Sequence, residues 1–102
     1  MVGDWSNLEE SMKLESNSGS IKVLYNAKQV NIVTANSAEL EIFLDGLPID
    51  EKYSGLDIDS GNKITVTEPD LYNIINSEKS ATHELEIKVN QKGFEIYSFT
   101  FG

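Results

Sequence analysis

Residues 82–89, Thr-His-Glu-Leu-Glu-Ile-Lys-Val, set apolar against polar side chains with a period of two. A helix would scatter those positions around its circumference, whereas an extended strand puts them on two faces, one dry and one wet. His83, Leu85, Ile87 and Val89 share one face; Glu84, Glu86 and Lys88 share the other. Asn90-Gln91-Lys92-Gly93 follows as a hairpin loop, with Gly where a left-handed backbone is usual, and Phe94 to Phe101 is the return strand. The same period recurs upstream. Ile21, Val23 and Tyr25 oppose Lys22 and Leu24; within Gln29–Thr34, Val30 and Ile32 oppose Val33. Leu40, Ile42 and Leu44 oppose Glu39 and Glu41, and Asp45-Gly46 closes that strand with a pair suited to positive φ. Ile64 and Val66 mark a further strand ended by Glu68-Pro69. Asp70–Asn76 reads as a strand, although Leu71, Ile74 and Ile75 also fit one helical turn with Pro69 at its start. Near the N-terminus, Ser11–Glu15 reads as a short edge strand and Leu8–Glu10 as a helical turn. The expected fold is all-β, an antiparallel two-sheet β-sandwich of about seven or eight short strands. Its core should hold Ile21, Val23, Tyr25, Val30, Ile32, Leu40, Ile42, Leu44, Ile64, Val66, Leu85, Ile87 and Val89.

The chain has 102 residues, enough for one core and not two, so residues 1–102 read as a single domain. Eight lysines, no arginine and 17 acids give a net charge of −9. That field repels polyanions, and no guanidinium fork is available for phosphates or base edges, which argues against nucleic acid and anionic membrane surfaces. No apolar run approaches the ~18 residues of a membrane span, so direct membrane insertion is not expected. The start, Met1-Val2-Gly3-Asp4-Trp5, lacks the basic and apolar regions of a signal peptide and reads as a domain cut from a longer chain. Compartment is therefore not legible from the residues. The absence of cysteine excludes disulfides, thiolate chemistry and thiolate metal sites.

His83 is the sole histidine, and it begins an alternating strand on the apolar side, the setting of a half-buried structural imidazole rather than a general base. There is no Gly-x-Ser-x-Gly elbow, dinucleotide fingerprint or P-loop, so neither an enzyme nor a bound cofactor is expected. The acidic loop Asp50–Asn62 offers Asp57 and Asp59 to a hard cation, and Glu68 lies eleven residues past Asp57. The glycine of an EF-hand loop, however, falls one place early at Gly61, with Asn62 in its position, and the flanks are strands. The loop reads as solvated carboxylates, with no metal site. Aromatic rings offer a different chemistry, because flat apolar sugar faces stack on them while Asn and Asp supply polar contacts. Trp5, Tyr53 and Tyr72 lie near segment ends, and Asn7, Asn26, Asn62 and Asn73 are available. The ligand-binding candidates are Trp5, Tyr53, Asp57, Asp59 and Asn62, although Trp5 also suits a packing role at the open end of a sandwich. Phe43, Phe94, Tyr97, Phe99 and Phe101 are assigned to packing.

Several segments resemble a known family when taken in order. They are the Trp5 start, Ser18-Gly19-Ser20, the strand ending Asn26-Ala27-Lys28-Gln29-Val30-Asn31, and Leu44-Asp45-Gly46. Gly55-Leu56-Asp57, Glu68-Pro69-Asp70-Leu71-Tyr72, Thr82-His83-Glu84-Leu85 and the closing Ser98-Phe99-Thr100-Phe101-Gly102 complete the set. The set resembles the C-terminal domain that follows the thioredoxin domain in DipZ-type and related thioredoxin-like proteins. The resemblance implies a jelly-roll sandwich similar to carbohydrate-binding modules, an upstream thioredoxin-like domain and an extracytoplasmic location. In the DipZ type it further implies a membrane-embedded electron-transfer domain. It implies no catalytic residue here, because the redox Cys-x-x-Cys belongs to the thioredoxin part; His83 and Tyr72 match family positions of structural character. Two readings follow: a noncatalytic accessory domain that binds carbohydrate, or a docking domain that packs on the adjacent thioredoxin-like domain and selects its partners.

Overall fold

The computed structural model describes residues 3–7, 11–58 and 61–102. Among them are strands β1 (Trp5–Asn7), β2 (Met12–Leu14), β3 (Gly19–Ala35), β4 (Ala38–Leu44), β5 (Leu47–Pro48), β6 (Lys63–Val66), β7 (Asp70–Val89) and β8 (Glu95–Phe101). A single 3-10 turn spans Glu51–Tyr53. Every strand pairing is antiparallel. No helix among the described residues is long and apolar enough to cross a membrane.

The fold is the β-sandwich expected, but its strands are not all short. The two alternating segments at 20–25 and 29–34 are one 17-residue strand, β3, and Asp70–Asn76 joins Thr82–Val89 in the 20-residue β7. These two long strands pair along most of their length and break register together, from Ala27↔Ala81 to Gln29↔Asn76. Residues 77–80 of β7 therefore bulge opposite Lys28 alone. A bulge of this kind lets a strand turn a corner and pass from one sheet into the other. Beyond the corner, β3 is flanked by β7 and β8, with β2 and β1 outside β8; before it, β7 is flanked by β3 and β4, with β5 and β6 on the far side of β4.

The core follows from the period-two faces. Ile21, Ile87 and Ile42 form one cross-strand row, and Leu85 pairs with both Val23 and Leu44. In the other layer Val30 pairs with Ile75 and Thr34 with Ile96. All the expected core residues are buried except Val23, which is partly buried against the cluster. The Asp45-Gly46 turn has φ of 53° and 84°, the positive pair a two-residue hairpin requires, and Leu44 pairs with Leu47 across it.

Local departures have local causes. Ile74 and Ile75 are both buried although adjacent. The register steps there from Val30↔Ile75 to Asn31↔Asn73, so Ile74 is the extra residue of a bulge; that is why the segment imitates a helical turn. Tyr97 is the corresponding extra residue of β8, between Ser98↔Val33 and Ile96↔Thr34. It is 43% exposed and Phe101, at the strand's end, is 49% exposed, which corrects their assignment wholly to packing. Phe94 is buried as expected, and Phe99 packs partly buried against the core. Residues 11–15 give β2, an interior strand between β1 and β8; the edge belongs to Trp5–Asn7 instead. The helical turn expected at 8–10 lies outside the described residues.

Tyr25 is buried at 6% exposure, and its hydroxyl has no hydrogen-bond partner among the described residues. Burial, then the negative charge of Asp45, then Tyr53, push its pKa up to about 12. The folded state thus holds the phenol proton more tightly than the unfolded chain, and this contribution is complete below the ordinary tyrosine value near 10. It is lost as pH rises from about 10 through about 12. Tyr25→Phe should remove that alkaline component and, by deleting an unsatisfied buried hydroxyl, raise stability at neutral pH by about 1 kcal/mol. Urea midpoints at pH 7 and pH 11 check both.

Candidate functional site

The segment after β5 is built by Asp50. Its carboxylate Oδ1 accepts the Lys52 N–H at 3.2 Å, and its carbonyl accepts the Tyr53 N–H at 2.9 Å and the Ser54 hydroxyl at 3.1 Å. An Asp in this position satisfies the free donors at the start of a helical turn. The turn directs Tyr53 at the corner of β7, where its ring lies 5.4 Å from that of His83, tilted by 57°. Two depressions meet at Tyr53. One, about 460 Å³, is lined by Lys52, Tyr53, Ser77, Glu78, Lys79 and Ala81, and so sits against the 77–80 bulge. The other, about 280 Å³, is lined by Leu44, Asp45, Leu47, Pro48, Asp50, Lys52, Tyr53 and His83.

His83 is held from both sides, as a structural imidazole would be. Its Nδ1 lies 2.6 Å from Asp45 Oδ2, and its ring is 6.2 Å from Tyr25. Tyr25 in turn stacks on Phe101, and Phe101 on Phe99. The aromatic run therefore reaches from β8 through the core to the Tyr53 depression. Asp45 also accepts the Glu84 N–H at 2.9 Å, which ties the β4–β5 turn to β7. That backbone donor, and then His83, hold the Asp45 carboxyl below its ordinary value. A depressed acid stabilises the fold above its unfolded pKa, near 4, and loses the contribution as pH falls through the lower folded value. Acid unfolding should accordingly be shallower in Asp45→Asn below about pH 4, and the difference should shrink in high salt because Asp45 is exposed. Urea midpoints from about pH 5 to pH 2 test it.

The remaining candidates serve other ends of the fold. Asp57 Oδ2 accepts the Asn73 N–H at 2.7 Å, and the Asp57 N–H donates back to the Asn73 carbonyl at 3.2 Å. Gly55 and Leu56 add bonds to the Ile74 carbonyl and the Asn73 Oδ1, and Ser54 bridges Ile75. Residues 54–57 therefore seal the edge of the first half of β7. Asn62 donates its side-chain amide to the Ile42 carbonyl at 3.2 Å and its carbonyl accepts the Ile42 N–H, extending the β4–β6 pairing one residue before β6. Trp5 lies on β1, partly buried against the core. Asp59 is outside the described residues. Tyr53 and Asp57 thus lie on one strap, and Trp5 belongs to the opposite end of the strand order. Sequence reasoning missed the corner residues Ser77, Glu78 and Lys79, because nothing in a polar tetrapeptide inside a strand announces a bulge. It also missed the Lys52 ammonium, which sits 5.1 Å above the Tyr53 ring, a cation–π contact worth about 0.5–1 kcal/mol at an exposed site.

An antiparallel sandwich whose long strands cross between layers, with an aromatic-lined corner, is not a thioredoxin fold. The family described as "Thioredoxin like C-terminal domain" matches residues 1–102, and the chain belongs to it. Among curated proteins it is similar to Protein DipZ of Mycobacterium bovis (strain ATCC BAA-935 / AF2122/97), at 27% identity over 100 residues. The same identity holds for Protein DipZ of Mycobacterium tuberculosis (strain CDC 1551 / Oshkosh). Each match covers 98% of this chain but 12% of the relative, so the chain spans about an eighth of their length. Among solved structures, a family two carbohydrate esterase from Clostridium thermocellum in complex with cellohexaose superposes with a TM-score of 0.76 over 99% of this chain and 30% of the esterase. At 10% identity that likeness is one of fold.

Proposed function

We propose that this is a noncatalytic accessory domain of a longer DipZ-type protein, and that it binds carbohydrate at the corner of β7. The observation that carries the reading is Tyr53, a partly exposed ring shared by two depressions whose other walls mix apolar side chains with the polar groups of Asp45, Asp50, Ser77 and Lys79. An aromatic face supplies area without many rotamers to freeze, and the polar groups supply hydrogen bonds to hydroxyls. The esterase of similar fold was solved with an oligosaccharide, which is consistent with a sandwich of this shape presenting such a surface. Asp57 and Asn62 contribute by holding the strap and the end of β4 rather than by touching ligand, and Trp5 belongs to a separate edge.

Binding should be weak, since each stacking contact gains only about 0.5–1.5 kcal/mol beyond area burial. Titrating labelled protein with a panel of oligosaccharides should shift the amides of Tyr53, Ser77, Lys79 and His83 and leave Trp5 unmoved. Tyr53→Ala should abolish the shifts; because Tyr53 also packs partly buried against the core, retention of the fold is checked by unchanged amides in β2 and β8. A flat response to every glycan would remove the carbohydrate reading.

A second reading has its own observation. Val33, Ala35, Pro69, Leu71 and Tyr97 line a groove of about 460 Å³ on the outer face of the β3–β7–β8 layer. Leu71 is 49% exposed there. Such a face suits docking to an adjacent thioredoxin-like domain. Adding that domain from the same protein would then shift Val33 and Leu71, with the Tyr53 amides silent.

A further inference from the structure

The charge of the larger depression is opposite to that of the molecule. The chain carries 17 acids against eight lysines, yet two of those lysines, Lys52 and Lys79, line the groove beside Tyr53, with Glu78 the one carboxylate among the described lining residues. Neither ammonium has a carboxylate within ion-pair distance among the described residues; the ion pairs there are Lys63–Glu39 and His83–Asp45. Lys79 is set by the bulge, whose Ser77 hydroxyl lies 3.0 Å from both the Lys28 and Lys79 carbonyls. Lys52 rests on the Tyr53 ring, while His83 packs tilted against the same ring.

Resting on the carbohydrate reading, we infer that the groove selects a sugar bearing an anionic group, a uronate carboxylate or a sulfate ester. A neutral sugar stacking on the Lys52 side of Tyr53 must displace the ammonium from the ring and returns only uncharged hydroxyl acceptors to it. An anionic sugar displaces it too, but its charged oxygens then accept hydrogen bonds from Lys52 and from Lys79 across the groove. Among the described residues neither lysine has an ion-pair partner beforehand, so no ion pair there has to be broken. The net charge of −9 opposes the approach of anions at long range, so the preference rests on the local contacts. The ammonium is a point charge without a planar fork, and it fits carboxylate and sulfate alike.

The test titrates trigalacturonate, its methyl ester and a sulfated disaccharide against the intact domain, following amide shifts at Tyr53, Ser77 and Lys79. The acid should bind about five- to tenfold more tightly than its ester at low salt. That gap should close between about 50 and 500 mM salt. Lys52→Gln with Lys79→Gln should erase the gap between acid and ester, the acid weakening and the ester tightening slightly because no ammonium then has to leave the Tyr53 ring. The sulfated sugar separates the two sources of charge: binding by it alone assigns sulfate, binding by trigalacturonate alone assigns carboxylate. Equal binding of acid and ester would overturn the anionic preference and leave the carbohydrate reading standing. No shift with any of the three, or with the neutral panel, would overturn both.

Discussion

Ile87→Ala should cost about 2–5 kcal/mol of folding stability, the range for truncating a buried aliphatic side chain. Ile87 is fully buried, and it pairs with Ile21 on one side and Ile42 on the other. Truncation therefore leaves a void in the middle of a three-strand row, where backbone hydrogen bonds on both flanks prevent collapse. In a domain of about 100 residues each kcal/mol shifts the melting temperature by roughly 4–8 °C, so the transition should fall by about 8 °C or more. Leu24→Ala is the control, because Leu24 is 74% exposed and its change should fall within about 0.5 kcal/mol. Equal losses from the two variants, measured by urea midpoint, would mean that the strand faces are misassigned.

The contrast between Ile87 and Leu24 also shows what the amino-acid pattern could reveal. Wherever a strand keeps one face in water, period two identifies the buried side, and Leu40, Ile42, Leu44, Leu85, Ile87 and Val89 were legible for that reason. The pattern fails at bulges, where one extra residue shifts the alternation: adjacent Ile74 and Ile75 both turn inward, and Tyr97 turns out between Ile96 and Ser98. A bulge is fixed by the pairing of two distant strands, so it leaves no mark on either alone. The candidate site was legible to the same degree. Tyr53 could be picked as an aromatic ring at a segment end. Its neighbours Ser77, Lys79 and His83 on β7 and Asp45 in the β4–β5 turn come from two other parts of the chain and converge only because β7 turns its corner. Asp57 stood out as a carboxylate in an acidic loop, yet it accepts a backbone N–H at the sheet edge. Spacing cannot distinguish a ligand from a cap.

Gly55→Ala should be the most disruptive change that removes no atom from the core. A Cβ at residue 55 would overlap the carbonyl and side-chain oxygens of Asn73. The Asn73 carbonyl is backbone and cannot swing aside, and the Asn73 side chain is itself bonded to Asn31 at 2.8 Å. The strap must lift, breaking the Gly55–Ile74 bond at 3.0 Å and the Asp57–Asn73 pair on either side of it. Overpacking of this kind costs about 1–3 kcal/mol, and the lost edge bonds add to it. Gly46→Ala separates crowding from backbone conformation: Gly46 has φ of +84° but nothing within 4 Å of an added Cβ. It should therefore lose only about 1 kcal/mol from its left-handed backbone. Hydrogen exchange should show Gly55 and Asn73 amides losing protection in Gly55→Ala while the β4–β7 amides keep theirs, which distinguishes local lifting from global loss. Lifting would also uncover the outer edge of β7 as a template for pairing, so the variant should self-associate as concentration rises. Because Tyr53 stands two residues before Gly55 on the same strap, any glycan shifts at Tyr53 should vanish together with that protection. Full protection at Asn73 in the alanine variant would show that the strap tolerates the added methyl, and that close approach to β7 is not what glycine supplies there.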